Sequence, residues 1–556
     1  MKVLILGGYG NFGGRLARLL ADEERLTLLI AGRDRAKADA FIGGLQAKAK
    51  LESFLFDRGG DVEAQLRAAA PDIVVDASGP FQVYGDNPYR VVKAAIANGV
   101  HYLDLADGAA FVEGVRAFDA EARERDLFVI SGASTTPALT GAAFRALRTR
   151  LHRVDRYSGG IAPSPHAEIG VNVYRAIASY AGKRVRLRRD GGDAEAYALI
   201  DARNFTIAPP GYLPLHRRRF SLIEVPDLNL FSRMAPSLRD TWFGAGTVPE
   251  LLHRMLNVAA SLVRWRLLPS LALFGKLFHR VTHMARFGED RGGLFVCVEG
   301  TDESGGEVEY SWHLVAEGDD GPFIPAMASE VLIRKCLAQN IPASGARSAE
   351  SVLTLEDQAA SFEKRSIHAG FRARRWPAAE PVFEQILGPA YSRLPQAVRA
   401  FHGRQGDFKV HGRAAIDRGR NPLSKLIAVI LGFPEAAEDV PVTVEVTATP
   451  AGEIWRRTFG EKSFQSELKA GAERFEYLLQ ERFGPLRFGI ALVVEADRLR
   501  WVMRRATFLG LTLPEFFLPR GEVFESGAAD DFYFYVEIAL PLIGLIVRYR
   551  GTLDLR

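Results

Sequence analysis

Cysteine is nearly missing: only Cys297 and Cys336 stand in 556 residues. Two cysteines build neither a disulfide framework nor a cysteine-rich metal site, and such sparing use fits a reducing, cytoplasmic setting. Charge imbalance is missing too. Lys plus Arg number 71 and Asp plus Glu 67, a formal net charge of +4. A nucleic-acid binder carries a basic stripe or clustered tail, so no nucleic-acid partner is expected. No long apolar run is present. The nearest, LLHRMLNVAASLVRWRLLPSLALFGKLFHR (251–280), is cut by Arg254, Arg264, Arg266 and Lys276 into pieces shorter than the ~20 residues of a spanning helix, and Pro269 interrupts it. It reads as an amphipathic helix pair that packs on this chain or on a second copy in a homodimer. Peripheral contact with a membrane surface is the alternative. The N-terminus shows no apolar leader with a small-residue cleavage site. Internal repeats, low-complexity tracts, Ser-His-Asp arrangements and metal-ligand spacings are absent, so no metal is expected.

What is there begins at once. Residues 1–135 alternate short apolar runs (KVLILG, LTLLIAG, PDIVVDASG, HYLDLAD, LFVISGAS) with stretches of helical spacing. Apolar runs without polar alternation suit strands covered on both faces, so this region is predicted to be a doubly wound α/β domain with a parallel sheet. Residues 136–324 read as an inserted α+β domain for substrate or dimerisation. The helix PAMASEVLIRKCLAQN is expected to return to the first domain, completing it over 325–350. A charged, irregular linker is expected over 351–379, then a C-terminal α+β domain rich in antiparallel strands over 380–556. In that domain PVTVEVTATPAGEIWRRTFG and RFGIALVVEADRLRWVMRRATFLG read as hairpins.

The chemistry-bearing motif is Gly8-Tyr9-Gly10-Asn11-Phe12-Gly13, a G-x-G-x-x-G between the strand KVLIL and the helix NFGGRLARLL. Gly8 is assigned the tight turn, Gly10 the approach of backbone to a pyrophosphate, and Gly13 the close helix–sheet contact. The helix N-terminus then offers free N–H groups and a positive dipole end to phosphates. The tip of the second strand selects the dinucleotide. NAD sites place an acid there for the ribose 2′-OH, whereas this strand ends Ala31-Gly32-Arg33-Asp34. Arg33, with Lys37 one turn on, suits the 2′-phosphate of NADP, so NADP is expected over NAD. The alternative is that both are solvated surface charges. Asp34 reads as the cap of the next helix. Asp57 is a candidate adenine contact or an ordinary turn residue.

GGYGNFGGRLARLL, AGRDRAKA, DASGPFQVYGDNPYRVVKAAIANGVHYLDLAD, SGASTTPAL, VPDLNLF and GDDGPFIPAMASEVLIRKCL together resemble the saccharopine dehydrogenase family in its saccharopine-reductase-like branch, over about residues 1–355. The resemblance implies a Rossmann domain, an inserted substrate or dimerisation domain, and a nicotinamide cofactor. Members join an amino acid to an aldehyde through an imine and its reduction, or split such a secondary amine by oxidation. By resemblance Ser78, Gly79 and Pro80 pass the nicotinamide-side phosphate and ribose; a strand-ending turn is the alternative. Tyr102 and Asp104 are the catalytic candidates, a proton donor and its orienting partner, against a core tyrosine and a strand-end cap. One departure stands out. Saccharopine-forming relatives carry Gly-Phe-Asp before a Pro, where this chain reads Gly132-Ala133-Ser134-Thr135-Thr136-Pro137. A substrate amino group would lose one counter-charge there.

Residues 380–556 resemble a domain of unknown function found behind such N-termini, through FHG, DRGRNPLSKL, EIWRRTFG, ERFGPLRFG and VRYRGTL. A curved antiparallel sheet here could enclose an apolar ligand, lined by Trp455, Arg456, Arg457, Arg482 and Arg548, or these could be plain strand and ion pairs. His402 reads as a core or capping histidine. The expected activity is hydride transfer between NADP(H) and a small or apolar substrate. The rival reading is an NADP(H)-binding sensor or lipid-binding protein without turnover.

Overall fold

The computed structural model describes residues 1–167, 180–246, 250–271, 288–375, 380–528 and 531–556. Within them the chain forms two compact units, residues 1–205 with 218–368, and residues 206–217 with 369–556.

The first unit opens with β1 (Lys2–Leu6), α1 (Asn11–Leu20), β2 (Thr27–Gly32), α2 (Arg35–Gly43), β3 (Lys50–Leu55), β4 (Ile73–Asp76), β5 (His101–Asp104) and β6 (Phe128–Ser131). They form a seven-stranded sheet in the order Gly345–Ser348, β6, β5, β4, β1, β2, β3. Neighbours run parallel, Val3 opposite Leu28 on one side and Ile73 on the other. Val3, Leu4, Ile5, Val74 and Val75 are fully buried, as apolar runs between two helical layers must be. The order reverses between β1 and β4, and such a switch point opens a crevice at the carboxyl ends of the strands. The helix Ile324–Leu337 packs on α1, and the strand Gly345–Ser348 pairs with β6.

The inserted region carries a second sheet. Its central strands stand in the order Asp240–Gly246, Arg153–Ala162, Arg291–Thr301, Glu307–Glu317. The helix Glu250–Arg264 follows. It buries His253 and Ala260 but exposes Leu251, Met255 and Val258. The expectation of a helix pair over 251–280 falls partly outside the described residues, from 272 on. No helix among the described residues is long and apolar enough to cross a membrane. The expected linker over 351–379 is corrected: it holds the helix Leu355–Glu363, started by a capping box at Thr354 and Asp357, and the strand Ile367–Arg375. Its charges disguised a regular pattern, because capping residues and outward strand positions are both polar.

The second unit is an eleven-stranded antiparallel sheet that closes on itself through pairing of Leu486–Val494 with Arg498–Phe508. Only the two-residue strand Leu511–Thr512 lies outside the ring. Both hairpins read from the sequence are present, with Thr449 opposite Gly452 and Val494 opposite Leu499. Inward positions alternate along each strand, as Val442, Val444 and Val446 do, the period of two that a barrel wall requires. Val382, Phe383, Val398 and Phe401, from the helices Val382–Leu387 and Gln396–His402, join the barrel core. Residues 206–217 are tied into this unit: Arg372 Nε donates to the Ala208 carbonyl, Arg393 to that of Pro210 and the Val494 N–H to that of Gly211.

Candidate active site

A cavity of about 1090 Å³ lies in the first unit, above the carboxyl ends of β1, β2 and β4. One wall is the glycine turn. Gly7 turns the chain with φ +72°, a left-handed conformation that favours glycine. That corrects the assignment of the tight turn to Gly8, which instead packs where a Cβ would stand 2.8 Å from the Ile5 carbonyl oxygen. At Gly13 a Cβ would meet the Gly7 oxygen at 2.3 Å, so α1 seats directly on the turn. The N-cap is Gly10, with no side-chain cap and no acid in the first turn of α1. The positive end of the helix is therefore unneutralised by its own residues. Gly7, Tyr9, Gly10, Asn11 and Phe12 line the cavity; Gly8 and Gly13 support it from behind.

At the tip of β2, Arg33 lines the cavity and is exposed. Asp34 faces away: it caps α2 by accepting from the Lys37 N–H at 3.1 Å, and its own N–H donates to the Tyr9 hydroxyl. Lys37 is not in the cavity wall, and its ammonium lies 3.5 Å from the Asp34 carboxylate. A second cation arrives instead from after β3. Arg58 lines the cavity beside Asp57, stacks over the Tyr84 ring at 3.4 Å and lies 3.9 Å from Asp76. Its buried Nε has no hydrogen-bond partner. Asp76, at the end of β4, accepts from the Ser78 N–H and hydroxyl, at 3.0 and 2.5 Å, and from the Tyr84 hydroxyl. This fixes the turn Ser78-Gly79-Pro80, which also lines the cavity. Burial, then the Asp76 charge, raises the Tyr84 pKa far above its ordinary range. A phosphate-bearing dinucleotide fits these groups: an uncapped helix start, a turn too close for a Cβ, and two guanidinium groups with room before them.

Tyr102 and Asp104 lie beneath the cavity, not in its wall, which corrects the catalytic roles expected for them. Both are fully buried. Asp104 Oδ1 accepts from the Ala106 and Gly132 N–H groups and the Ser131 hydroxyl, at 2.9, 2.7 and 3.0 Å, clamping the loop after β5 to the loop after β6. Burial outweighs those donors and pushes its carboxyl up to about 7. Burial, then the Asp104 and Asp76 charges, raises the Tyr102 hydroxyl well above its ordinary range. Away from the glycine turn and the two arginines, Asp107, Tyr180 and Glu224 do open onto the cavity. Asp107 is exposed, opening onto the cavity, and accepts from Gln82 Nε2 at 2.9 Å; desolvation by the surrounding wall raises its carboxyl. Desolvation raises the exposed Glu224 as well, opposed by the Arg186 charge and aided by that of Asp107. Tyr180 feels burial first, then Asp107 and Glu224. Asp107 stood in the motif HYLDLAD, but Tyr180 and Glu224 carry no local signal; only folding brings them to the site. Thr135 and Thr136, in the loop after β6, also line the cavity.

Fold and site together define a nucleotide-binding α/β region of the dehydrogenase type. Residues 3–130 match the family model of the saccharopine dehydrogenase NADP binding domain, and residues 394–553 match the domain of unknown function DUF4166. Among solved structures, the chain is similar to the L-Glu-forming saccharopine dehydrogenase of Saccharomyces cerevisiae, at 13% identity and TM-score 0.47, over 67% of this chain and 99% of that one. It is also similar to a mutant meso-dapdh of Clostridium tetani, at 12% identity and TM-score 0.32, over 65% of this chain and 98% of that one. A third is the WlbA dehydrogenase of Thermus thermophilus, in complex with NAD and α-ketoglutarate, at 12% identity and TM-score 0.29, over 65% and 91%. No curated protein matches the chain.

Proposed function

We propose that the chain is an NADP-dependent oxidoreductase that moves a hydride between NADP(H) and a small or apolar substrate. The observation that carries this reading is one cavity with two different walls. The glycine turn, Arg33 and Arg58 make a phosphate-binding side; Asp107, Tyr180 and Glu224 make an acid–base side. The nicotinamide supplies the hydride chemistry, and the protein binds, orients and handles the proton. Asp107, which opens onto the cavity and whose carboxyl is raised by desolvation, is the candidate proton carrier. The NADP preference rests on the tip of β2, where Arg33 faces the cavity and the neighbouring acid is engaged by α2.

Calorimetric titration of the full chain with NADPH and with NADH tests the cofactor. NADPH should bind more tightly; equal, weak binding of both sinks the assignment. Turnover of NADPH with a panel of imines and enals tests the activity, and cofactor binding without any turnover across a broad panel would favour a sensor instead.

A further inference from the structure

The barrel of the second unit encloses its own cavity, of about 430 Å³. Its wall is mostly aromatic and aliphatic, with Val444, Trp455, Phe464, Phe488, Trp501 and Ile546 among the contributors. Its wall also carries Arg457, Glu481, Glu525, Glu537 and the exposed Arg520. Arg457 donates to the Ser466 hydroxyl at 2.9 Å and pairs with Glu481 at 3.4 Å, all three buried or nearly so. One polar group stands apart: the Trp501 indole N–H is buried, has no hydrogen-bond partner, and belongs to a residue of the cavity wall. A buried donor left unmatched is costly, and a ligand oxygen would satisfy it.

The two ends of the barrel differ. At one end the helices Val382–Leu387 and Gln396–His402 pack, and the buried pair of His402 and Glu525, 2.6 Å apart, holds the second of them. Connections at the other end are apolar and exposed. They include the helix Pro422–Ile430, the turn after Arg498–Phe508 with the strand Leu511–Thr512, the segment 513–522, and the turn between Asp531–Leu540 and Gly544–Asp554. From these, Val429, Ile430, Leu509, Leu511, Phe517 and Leu542 project into solvent, Leu542 at 91% exposure. Ile430 and Phe517 belong to the cavity wall as well. Residues that are both wall and surface mark where the cavity reaches the outside. A ring of exposed apolar side chains around such a mouth is costly in water and is matched by the apolar interior of a bilayer.

The geometry points to a lipid-binding site: the barrel takes one molecule with a long apolar body and a single hydrogen-bond-accepting head, loaded from a bilayer through the apolar rim. The head needs no net charge, because Arg457, Glu525 and Glu537 of the wall already have partners in Glu481, His402 and Arg548. The site is separate from the nucleotide cavity and does not depend on its function.

All-trans-retinol serves as the probe, because Trp455 and Trp501 in the wall would transfer excitation to it. Full-length protein mixed with retinol-loaded phosphatidylcholine vesicles should show saturable quenching of tryptophan emission at one retinol per chain. Two cavity-filling variants on different strands, Val444→Phe and Ala506→Phe, should weaken equilibrium binding by about tenfold or more while keeping the wild-type circular dichroism. The rim variant Leu509→Asp/Leu511→Asp changes two exposed residues, one in the turn and one in the short strand after it. It should leave equilibrium affinity within about twofold and slow transfer from vesicles by about tenfold. No saturable quenching by the wild type overturns the site. Quenching that persists in both fillers places the probe elsewhere, the nucleotide cavity included, and also overturns it. Transfer unaffected by the rim variant overturns loading from the bilayer.

Discussion

Asp34 turns its carboxylate toward the backbone of α2, which leaves Arg33 as the charge at the tip of β2. Arg33→Ala should therefore weaken NADPH binding by ~1–3 kcal/mol, the scale of a lost charge-assisted contact, and leave NADH binding nearly unchanged; titration calorimetry reads both. Asp104 makes a different prediction. Its folded-state carboxyl is raised from 3.8 to about 7, chiefly by burial, so the folded chain prefers it neutral. Its contribution to stability is complete below pH 3.8 and is lost as pH rises through about 7. Asp104→Asn keeps an acceptor for the Ala106, Ser131 and Gly132 donors and removes the titration. The variant's melting temperature should match wild type in acid and exceed it above neutrality. The place of Arg33 in the cavity wall and the Asp34 cap were legible in the sequence because both are set within one turn of chain. The depth of Tyr102 was not legible, since burial is set by residues far away in sequence, and a strand-end Tyr-x-Asp looks the same above a sheet as beneath it.

The elements carry function through how closely they approach. Helix α1 sits on the glycine turn with no space for a methyl group at Gly13. Gly13→Ala must push the helix off the turn, and it should both lower the melting temperature and weaken NADPH binding, although Gly13 does not line the cavity. The helix Leu355–Glu363 depends on its reciprocal cap at Thr354 and Asp357. Thr354→Ala should cost ~1 kcal/mol in chemical denaturation with cofactor affinity unchanged. The G-x-G-x-x-G spacing announced the first contact, because strand, turn and helix are consecutive. The cap over 354–357 is just as local, yet it sits in a charged stretch whose polar residues mask the period of the helix and strand that follow. Closure of the barrel was the least legible feature. Each hairpin, the one that completes the ring included, could be read from its turn, but the pairing of Phe408–Arg418 with Gly544–Asp554, far apart in the chain, leaves no local mark on either strand.

At the scale of the molecule, the two compact units do not follow the order of the chain. Residues 206–217 belong with 369–556, held by Arg372, Arg393 and Val494. A protein cut at 368 would leave them on the wrong piece. The fragment 369–556 alone should melt at lower temperature, or aggregate, relative to the same fragment carrying 206–217 on a flexible N-terminal linker; thermal melts of the two fragments compare them directly. The same crossing sets an order of events during synthesis. Residues 206–217 leave the ribosome long before 369–556 exists, so Ile207 and Ala208, buried in the finished protein, must wait uncovered while residues 218–368 of the first unit are still being made. That interval is where a chaperone would have most to do.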